Sequence, residues 1–315
     1  MPPTGIPVSL RVWRGILAID ISQPSSEVRH SALGQIMSSK TCCAALERSP
    51  SSCERPFSPK AALTAVINMV TIMAPVITMD RNESGVVAPR SLLRLQSWLS
   101  PAFPTGAYSY SHGLEAAIES SQIRTRHTLV DWVDADLRYG STRNDAIFFV
   151  EAWRCAAGGH HTRLLEIAEL SAAFRGTSEF ALEASQQGTS CLATLRAVWP
   201  DPEIDWLSTA LRLRRIQPML PVVVAVRSAA EGVPVEVALR AFLHGFISNL
   251  VTAGVRLIPL GQTDGQRAIA ELEDAVLDAS EHAMTASSDE LGSASVMVDL
   301  ASMSHETQYT RLFRS

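Results

Sequence analysis

From residue 79 to residue 315, apolar side chains recur every three or four positions in one segment after another. This spacing places the apolar side chains on one face of an α-helix, whereas a half-buried strand requires strict alternation. Residues 222–226 have a strand-like composition, but their position among helical segments favours a buried helix. The pattern predicts an all-α protein, with a single compact multi-helix domain of about ten helices over residues 79–315.

Several residues that favour helix ends predict helix boundaries. Asp201 precedes a proline, which predicts an N-cap followed by proline at the first helical position. Thr128 and Asp131 resemble a capping box. Gly261 is expected to follow one helix, and Asp264 is expected to cap the next.

Residues 1–78 differ from the rest in composition, being rich in serine, proline and small residues. We predict a disordered extension or an upstream start, with Met79 as the natural beginning of the domain. Residues 61–79 contain no charge, but Asn68, Pro75 and three threonines argue against a membrane span. A secretory signal is a poor fit, because its charged region should lie near residue 1.

The charge balance argues against nucleic acid as a partner. Residues 79–315 carry twenty arginines, no lysine and twenty-eight acidic residues, a net of −8, while residues 1–78 carry seven basic and four acidic residues, a net of +3. The two sums give the total of −5. Binding to phosphate backbones requires a basic surface, which this composition does not provide.

The cysteine pattern indicates reduced thiols in a cytoplasmic protein. Five cysteines are present, without a CxxC pair or zinc-type spacing, so neither a disulfide framework nor a structural zinc site is expected. They are Cys42, Cys43, Cys53, Cys155 and Cys191.

The sequence contains none of the common catalytic signatures. It lacks a phosphate-binding GxxxxGK[ST], a GxGxxG after a strand, a GxSxG elbow and an HExxH pair. His160 and His161 are adjacent, so on a helix they point about 100° apart and cannot easily share an ion. His244 lies on an apolar helix, as a core or interface histidine would. We therefore expect no enzyme, no cofactor and no metal site.

A loop rich in hydroxyl groups follows the first predicted helix of the domain. Its prolines and Gly106 exclude a continuous helix, and five polar or aromatic residues then precede a helix that begins near Gly113. One interpretation is a capped loop, with Ser111 as the N-cap and the tyrosines packed. The other is a recognition surface, because tyrosines are good interface anchors. The five residues are Tyr108, Ser109, Tyr110, Ser111 and His112.

The C-terminal tail, residues 301–315, invites a similar pair of interpretations. If the tail is helical, Tyr309, Leu312 and Phe313 fall at i, i+3 and i+4 and form one apolar stripe. We favour a segment that becomes ordered on a partner protein, with the aromatic rings in pockets and Arg311 paired with acidic groups. Docking on the chain's own domain is the alternative.

Three blocks of the sequence resemble the urease accessory protein UreF family. Residues 104–115 read PTGAYSYSHGLE, residues 241–266 form an apolar run that ends in RLIPLGQTDGQ, and residues 301–314 read ASMSHETQYTRLFR. The blocks occur in the family's order over about residues 90–315. Residues 1–78 depart from the family, whose members usually lack such an extension.

The resemblance implies an all-helical dimer that is not itself an enzyme. Such a protein binds a UreD/UreH-type accessory protein, recruits a nickel-carrying UreG-type GTPase and docks on apo-urease, so that nickel enters the urease active site. The alternatives are a GTPase activator with an arginine finger (Arg214, Arg215 or Arg311) and a nickel-binding chaperone that uses His160, His161 or His305. The predicted partner-binding residues are Tyr108, Ser109, Tyr110, Ser111, His112, Glu115, Gln262, Gln266, Gln308, Tyr309, Arg311, Leu312 and Phe313.

Overall fold

The computed structural model of the chain describes residues 87–315. Within them it forms twelve α-helices, two short 3₁₀ turns and no β-strand, which confirms the predicted all-α fold. The predictions for residues 1–78 lie outside the described residues. The helices are α1 (Pro89–Trp98), α2 (Leu114–Glu119), α3 (Arg126–Tyr139), α4 (Ser141–Ala157), α5 (His161–Ala173), α6 (Ser178–Val198), α7 (Pro202–Arg214), α8 (Leu220–Ala230), α9 (Val235–Leu257), α10 (Gln262–Glu271), α11 (Glu273–Thr285) and α12 (Val296–Glu306), and the 3₁₀ turns are Ala107–Ser109 and Ser288–Glu290.

The pair α4 and α8 forms the centre of the fold. Residues 221–228 of α8 are all buried, as expected of a helix that is apolar on nearly every side. The facing residues 146–150 of α4 are each at most 1% exposed. Helices α3, α5, α9 and α11 pack on α4, while α6, α7 and α9 pack on α8. Residues 222–226 are therefore part of a buried helix, as the sequence predicted.

The longest helix, α9, is the one helix of the described region that is long and apolar enough to cross a membrane by length and composition. Half of its most apolar window is buried inside the protein, where it contacts α2, α4, α8, α10 and α11. Side chains such as Phe242, Leu243 and Ile247 form its inner face. In this structure α9 serves as a core helix.

The observed caps confirm one predicted helix start and correct another. The Asp201 carboxylate accepts a hydrogen bond from the Glu203 backbone N–H at 2.9 Å, which confirms the N-cap of α7. The prediction that Thr128 caps a helix is wrong, because α3 begins earlier and its N-cap is Thr125. Thr128 instead accepts a hydrogen bond from the Thr125 N–H at 3.1 Å, while the Thr125 hydroxyl accepts one from the Thr128 N–H at 3.3 Å. A second threonine thus takes the place of the usual glutamate.

The predicted junction between α9 and α10 is also wrong. Pro259 disfavours helical backbone at the residue before it, and Ile258 is extended with ψ of 149°, so α9 ends at Leu257. Gly261 is then the N-cap of α10 rather than the end of α9. Asp264 lies in the first turn of α10 and accepts a hydrogen bond from the Arg267 side chain at 2.9 Å.

Candidate functional site

The three sequence blocks meet on one side of the molecule. From α9, the Asn249 amide donates to the Ala107 carbonyl at 3.0 Å, and the Arg256 guanidinium donates to the Tyr108 carbonyl at 3.0 Å. From the chain end, the Arg314 N–H donates to the Ser109 carbonyl at 2.7 Å. The loop between α1 and α2 is thus held by α9 on one side and by residues 307–315, the terminal segment, on the other.

Left-handed backbone at two neighbouring residues turns this loop into α2. His112 has φ of 56° and Gly113 has φ of 76°. A Cβ on Gly113 would lie 2.8 Å from the Ser302 backbone nitrogen, so this position requires glycine for its conformation and for the close approach of α12. Ser111 is not the N-cap as predicted; Gly113 precedes the first residue of α2.

The His112 side chain is buried in a polar network that joins three helices. Its Nδ1 lies 3.1 Å from Glu183 of α6, and its Nε2 lies 2.8 Å from the Ser141 hydroxyl of α4. Asp136 of α3 is 3.7 Å from Nε2, and the ring stacks on Phe180 with centroids 4.0 Å apart. This one imidazole therefore connects α3, α4 and α6 beneath the loop.

The surrounding carboxylates keep His112 charged. Burial by itself would lower the pKa of His112, but the charge of Glu183, its hydrogen bond to the ring, and the charges of Asp136 and Asp145 outweigh burial and raise the pKa to about 9. The ring is therefore an imidazolium at neutral pH, and both ring nitrogens donate hydrogen bonds.

Ser141, His112 and Glu183 are hydrogen-bonded to one another in the order hydroxyl, imidazole and carboxylate, as in a nucleophilic triad. In such a triad the imidazole must accept the hydroxyl proton as a general base. The His112 imidazolium has no free lone pair at neutral pH, and Ser141 lies within 3.5 Å of the Asp136 carboxylate, to which its hydroxyl donates. This arrangement is a buried ion-pair network without the base that acyl transfer requires.

A second buried imidazole lies beside the first. His305 of α12 is fully buried, with Nδ1 at 2.9 Å from Glu179 and Nε2 at 3.1 Å from Glu115. The Arg311 guanidinium donates to the same Glu179 carboxylate at 3.2 Å. The side chains of α2, α6 and α12 are thus tied together by groups that are costly to leave unpaired.

Glu115 also holds the terminal segment. Its two carboxylate oxygens accept hydrogen bonds from the backbone N–H groups of Leu312 at 2.7 Å and Phe313 at 2.9 Å. The Phe313 ring is 4% exposed, and the Arg256 guanidinium lies over it, 4.5 Å from the ring centroid. We call this set of contacts the Glu115 clamp.

The terminal segment is not helical, so it does not form the apolar stripe that a helical tail would present. Helix α12 ends at Glu306, and the Glu115 clamp binds the backbone N–H groups that a continuing helix would use internally. Phe313 docks on the chain's own domain, which is the alternative stated above, whereas Tyr309 is fully exposed and Leu312 is 60% exposed. The apolar side chains of the segment therefore point in different directions.

The predicted partner-binding residues divide by exposure. Gln262 and Gln266 lie on α10, which packs on α3, α9 and α11. The hydrogen bonds that hold the loop between α1 and α2 come instead from α9 and the terminal segment. The buried members stabilise the site, and the exposed ones remain available to another protein. Tyr110, Ser111, His112, Glu115 and Phe313 are buried, Ser109 and Gln308 are half-buried, and Tyr108, Gln262, Gln266, Tyr309, Arg311 and Leu312 are exposed.

Sequence reasoning missed the acidic residues that complete the site. Glu179 and Glu183 recur four residues apart on the face of α6 that also buries Phe180 and Ala184. A carboxylate on the apolar face of a helix needs a buried partner, so this pattern could have been used to find them. Asp136 gives the same signal on the buried face of α3.

The outer face of α12 is apolar although it is exposed. Its four large apolar side chains are 47–59% exposed, while Val298 and Ala301 on the opposite face are buried. A helix with apolar residues on both faces is expected to be covered on both. We call this outer face the α12 stripe; it consists of Val296, Met297, Leu300 and Met303.

An apolar cavity of about 370 Å³ lies beside the loop. Trp98, Phe242 and Phe246 line it, with the Glu183 carboxylate at one side. His244, expected in a core or at an interface, is exposed and lies in the lining of this cavity.

The histidines considered as nickel ligands are not arranged as a site. His161 stacks on Trp206 with centroids 3.9 Å apart and lies 3.0 Å from Glu203, while His160 points to solvent. His305 is enclosed by its two carboxylates. Among residues 87–315, no group of three His, Cys, Asp or Glu side chains is placed to hold a metal ion.

The fold and this site define an all-helical protein whose centre is a buried network of imidazole and carboxylate groups that secures its own chain end. A sequence model of the UreF family matches residues 123–273. The chain is 47% identical to the urease accessory protein UreF of Rhodopseudomonas palustris (strain BisB5) over 225 residues, which cover 71% of this chain and 91% of that protein. The chain therefore belongs to the urease accessory protein UreF family, as its motifs predicted.

Other relatives agree along nearly their whole length. The urease accessory protein UreF of Bradyrhizobium diazoefficiens (strain USDA 110) is 47% identical over 243 residues, covering 75% of this chain and 99% of that protein. That of Granulibacter bethesdensis is 46% identical over 226 residues, covering 71% and 94%. The similarity thus extends over most of the region that contains the site.

Proposed function

We propose that this protein is a non-catalytic adaptor in urease maturation. It binds a UreD/UreH-type accessory protein, a UreG-type GTPase and apo-urease, and so assists the insertion of nickel into the urease active site. Family membership supports the link to urease. The observation that carries the adaptor role is the α12 stripe, an exposed apolar surface on the helix that precedes the terminal segment, in which Tyr309 and Leu312 are also exposed.

The α12 stripe is suited to a protein partner. Val296, Leu300 and Met303 follow at i, i+4 and i+7, so they form a line along one side of the helix. Covering such a line removes apolar surface from water and supplies most of the driving force of association. We assign this surface to the UreD/UreH-type protein, with Tyr309 as an aromatic anchor at its end.

Point substitutions in the α12 stripe test this assignment better than a deletion. Removing residues 303–315 would also remove His305 and Phe313, and would leave Glu115 and Glu179 buried without their partners. We expect Leu300→Asp with Met303→Asp to abolish co-purification with the UreD/UreH-type protein. Leu92→Asp with Leu93→Asp, which places the same two charges at leucines of α1 that are 41% and 65% exposed, should not. Undiminished co-purification of the first of these double variants would exclude the α12 stripe as the docking surface.

The alternative of a GTPase activator receives less support. Arg311 is already paired with Glu179, so its guanidinium is not free to act as an arginine finger. Arg214 and Arg215 are exposed, but no observation directs them to a nucleotide. GTP turnover by the UreG-type protein, measured with and without this protein in the full complex, separates adaptor from activator. Equal turnover would support the adaptor.

We also propose that the protein acts in the cytoplasm as a homodimer. The sequence resemblance implies the dimer, and α9 presents the exposed His244 and the half-buried Ser248 beside the cavity, where a second copy has access to them. Sedimentation equilibrium of the purified protein tests the dimer, and a monomer at micromolar concentration would contradict it.

A further inference from the structure

Almost every arginine in residues 87–315 has a partner. Arg138, for example, pairs with Asp134 and Asp278, and Arg314 lies over the Tyr110 ring. The guanidinium groups without a hydrogen bond, an ion pair or an aromatic contact in this region belong to Arg90, Arg212, Arg214 and Arg215. Three of these four lie within four consecutive residues, at the end of α7.

The same four residues include an exposed leucine. Leu213 is 76% exposed, more than any other leucine among the exposed apolar residues of the described region. Helix C-termini favour arginine through the helix dipole, which accounts for Arg212 and Arg214. The dipole does not account for an exposed leucine between them.

The backbone at this helix end is unusual as well. Arg215 has φ of 58° and ψ of 33°, the left-handed conformation that glycine usually fills at a helix C-terminus. Its N–H donates to the Arg212 carbonyl at 3.2 Å, which terminates the helix and leaves the Arg215 side chain exposed. A long basic side chain therefore stands where glycine would be more favourable.

The acidic residues of α7 do not neutralise this end. Glu203 pairs with His161 and Asp205 pairs with Arg196. The N-cap Asp201 lies 3.2 Å from the buried Arg227. Within residues 87–315, no acidic side chain pairs with the arginines at the C-terminal end of α7, although residues 79–315 carry a net charge of −8.

We propose that Arg212, Leu213, Arg214 and Arg215, which we call the α7 terminus, form a docking surface for an acidic face of another protein. Leu213 inserts into an apolar pocket of that face, and the guanidinium groups pair with the carboxylates around the pocket. Nucleic acid and anionic membranes fit less well. A phosphate surface can pair with the guanidinium groups but has no apolar pocket for Leu213.

Charge reversal of the α7 terminus tests this surface. The inference rests on the proposed function, because the probes are the purified UreD/UreH-type protein, the UreG-type GTPase and apo-urease. Binding of the GTPase and of apo-urease is also measured on the preformed complex of this protein with the UreD/UreH-type protein. We expect Arg212→Glu, Arg214→Glu and Arg215→Glu together to weaken binding of one probe by about tenfold or more. The salt dependence of that binding, measured from about 0.05 to about 0.5 M, should also become shallower.

Arg90→Glu is the matched control, because Arg90 is an exposed arginine on α1 that likewise has no partner in the described region. It should leave every affinity within about twofold. Unchanged binding of all three probes by the triple variant would overturn the docking surface while leaving the adaptor function intact. Failure of the wild-type protein to bind any probe would overturn the proposed function, and this assignment with it.

Leu213→Ser separates the apolar anchor from the charges. It should weaken the same complex by about tenfold while preserving the salt dependence, since no charge is changed. An affinity equal to that of the wild type would remove Leu213 from the interface and overturn the proposed mode of docking. If the wild-type protein bound duplex DNA or phosphatidylserine vesicles and the triple variant did not, the surface would bind phosphate and the proposal would be wrong.

Discussion

At the scale of single residues, His112 and Gly113 determine the shape of the site. His112 holds a positive charge below the protein surface because Glu183, Asp136 and Asp145 surround it. Gly113 allows α12 to approach the start of α2 within van der Waals distance. Neither residue needs to contact a partner for the site to depend on it.

The His112 charge makes stability depend on pH. Its folded-state pKa of about 9 lies above its unfolded value of 6.5, so the folded state binds the proton more tightly. The resulting stabilisation, about 3 kcal/mol, is fully present below pH 6.5 and is lost as the pH rises through about 9. Denaturant unfolding at about pH 6.5 and about pH 9.5 should show this loss in the wild type and a smaller one in His112→Gln. Equal losses in both proteins would show that other groups are responsible.

Gly113→Ala should destabilise the protein through its positive φ and through the close approach of α12. A substitution at a second glycine with positive φ but no close neighbour separates the two effects. Gly159 also has positive φ, at 68°, but a Cβ there meets nothing within 4 Å. Gly159→Ala should therefore cost about 1 kcal/mol for the backbone conformation alone. Gly113→Ala should cost about 3 kcal/mol, because α12 must also shift. Urea unfolding of both variants measures the difference, and equal values would argue against the close approach.

At the scale of secondary-structure elements, the Glu115 clamp determines what the chain end can do. One carboxylate of α2 binds two backbone N–H groups of the terminal segment and the His305 ring of α12. Phe313 is thereby fixed in the domain, while Tyr309 and Leu312 stay exposed. The segment that presents these side chains is also held by the Arg311 side chain at Glu179 and by the Arg314 N–H and the Ser315 carbonyl at the loop.

Removing the Glu115 carboxylate should loosen the terminal segment at Leu312 and Phe313. Glu115→Ala leaves the Leu312 and Phe313 amides without acceptors, and we expect their hydrogen exchange to become faster by at least about tenfold. The exposed Glu119 of the same helix provides the control, and Glu119→Ala should leave these amides protected. Protection that survives in Glu115→Ala would show that the other contacts of the segment, such as the buried Phe313 ring and the Arg314 hydrogen bond to Ser109, protect these amides without the carboxylate.

At the scale of the whole molecule, residues 87–315 combine a buried core around α4 and α8 with a helix whose outer face is apolar. Helix α12 is buried on one face, and the apolar side chains of its other face are 47–59% exposed. A molecule that leaves such a surface exposed is suited to act as part of an assembly. The α7 terminus adds a second surface with a different chemistry.

Assembly should protect the methionines of the α12 stripe from oxidation. Met297 and Met303 are 52% and 47% exposed, and Met219 is 3% exposed in the core. Dilute peroxide should oxidise the first two in the free protein and spare Met219. In the complex with the UreD/UreH-type protein, their oxidation should slow by about tenfold, as mass spectrometry can measure. Unchanged rates in the complex would place the partner elsewhere.

Predictions of local structure mostly succeeded where residues a few positions apart determine the structure. The chain end, where a distant residue determines it, was not foreseen. The Asp201 cap and the buried helix at residues 222–226 follow from neighbours a few positions away. Thr125 was overlooked because threonine can take the role of the third-position glutamate. The apolar spacing at the end of the chain is helical, but no helix forms there, because the backbone donors of Leu312 and Phe313 are taken by Glu115, some two hundred positions earlier.

The sequence by itself determined the helical class, most of the helix positions and the family, because periodicity, caps and motifs are properties of neighbouring residues. The tertiary structure decided which of the motif residues are buried and which are exposed. It brought Glu179, Glu183 and Asp136 to the two histidines, and it placed Phe313 beneath Arg256. The physical reason is that buried charges need partners, and those partners come from helices that are remote in sequence.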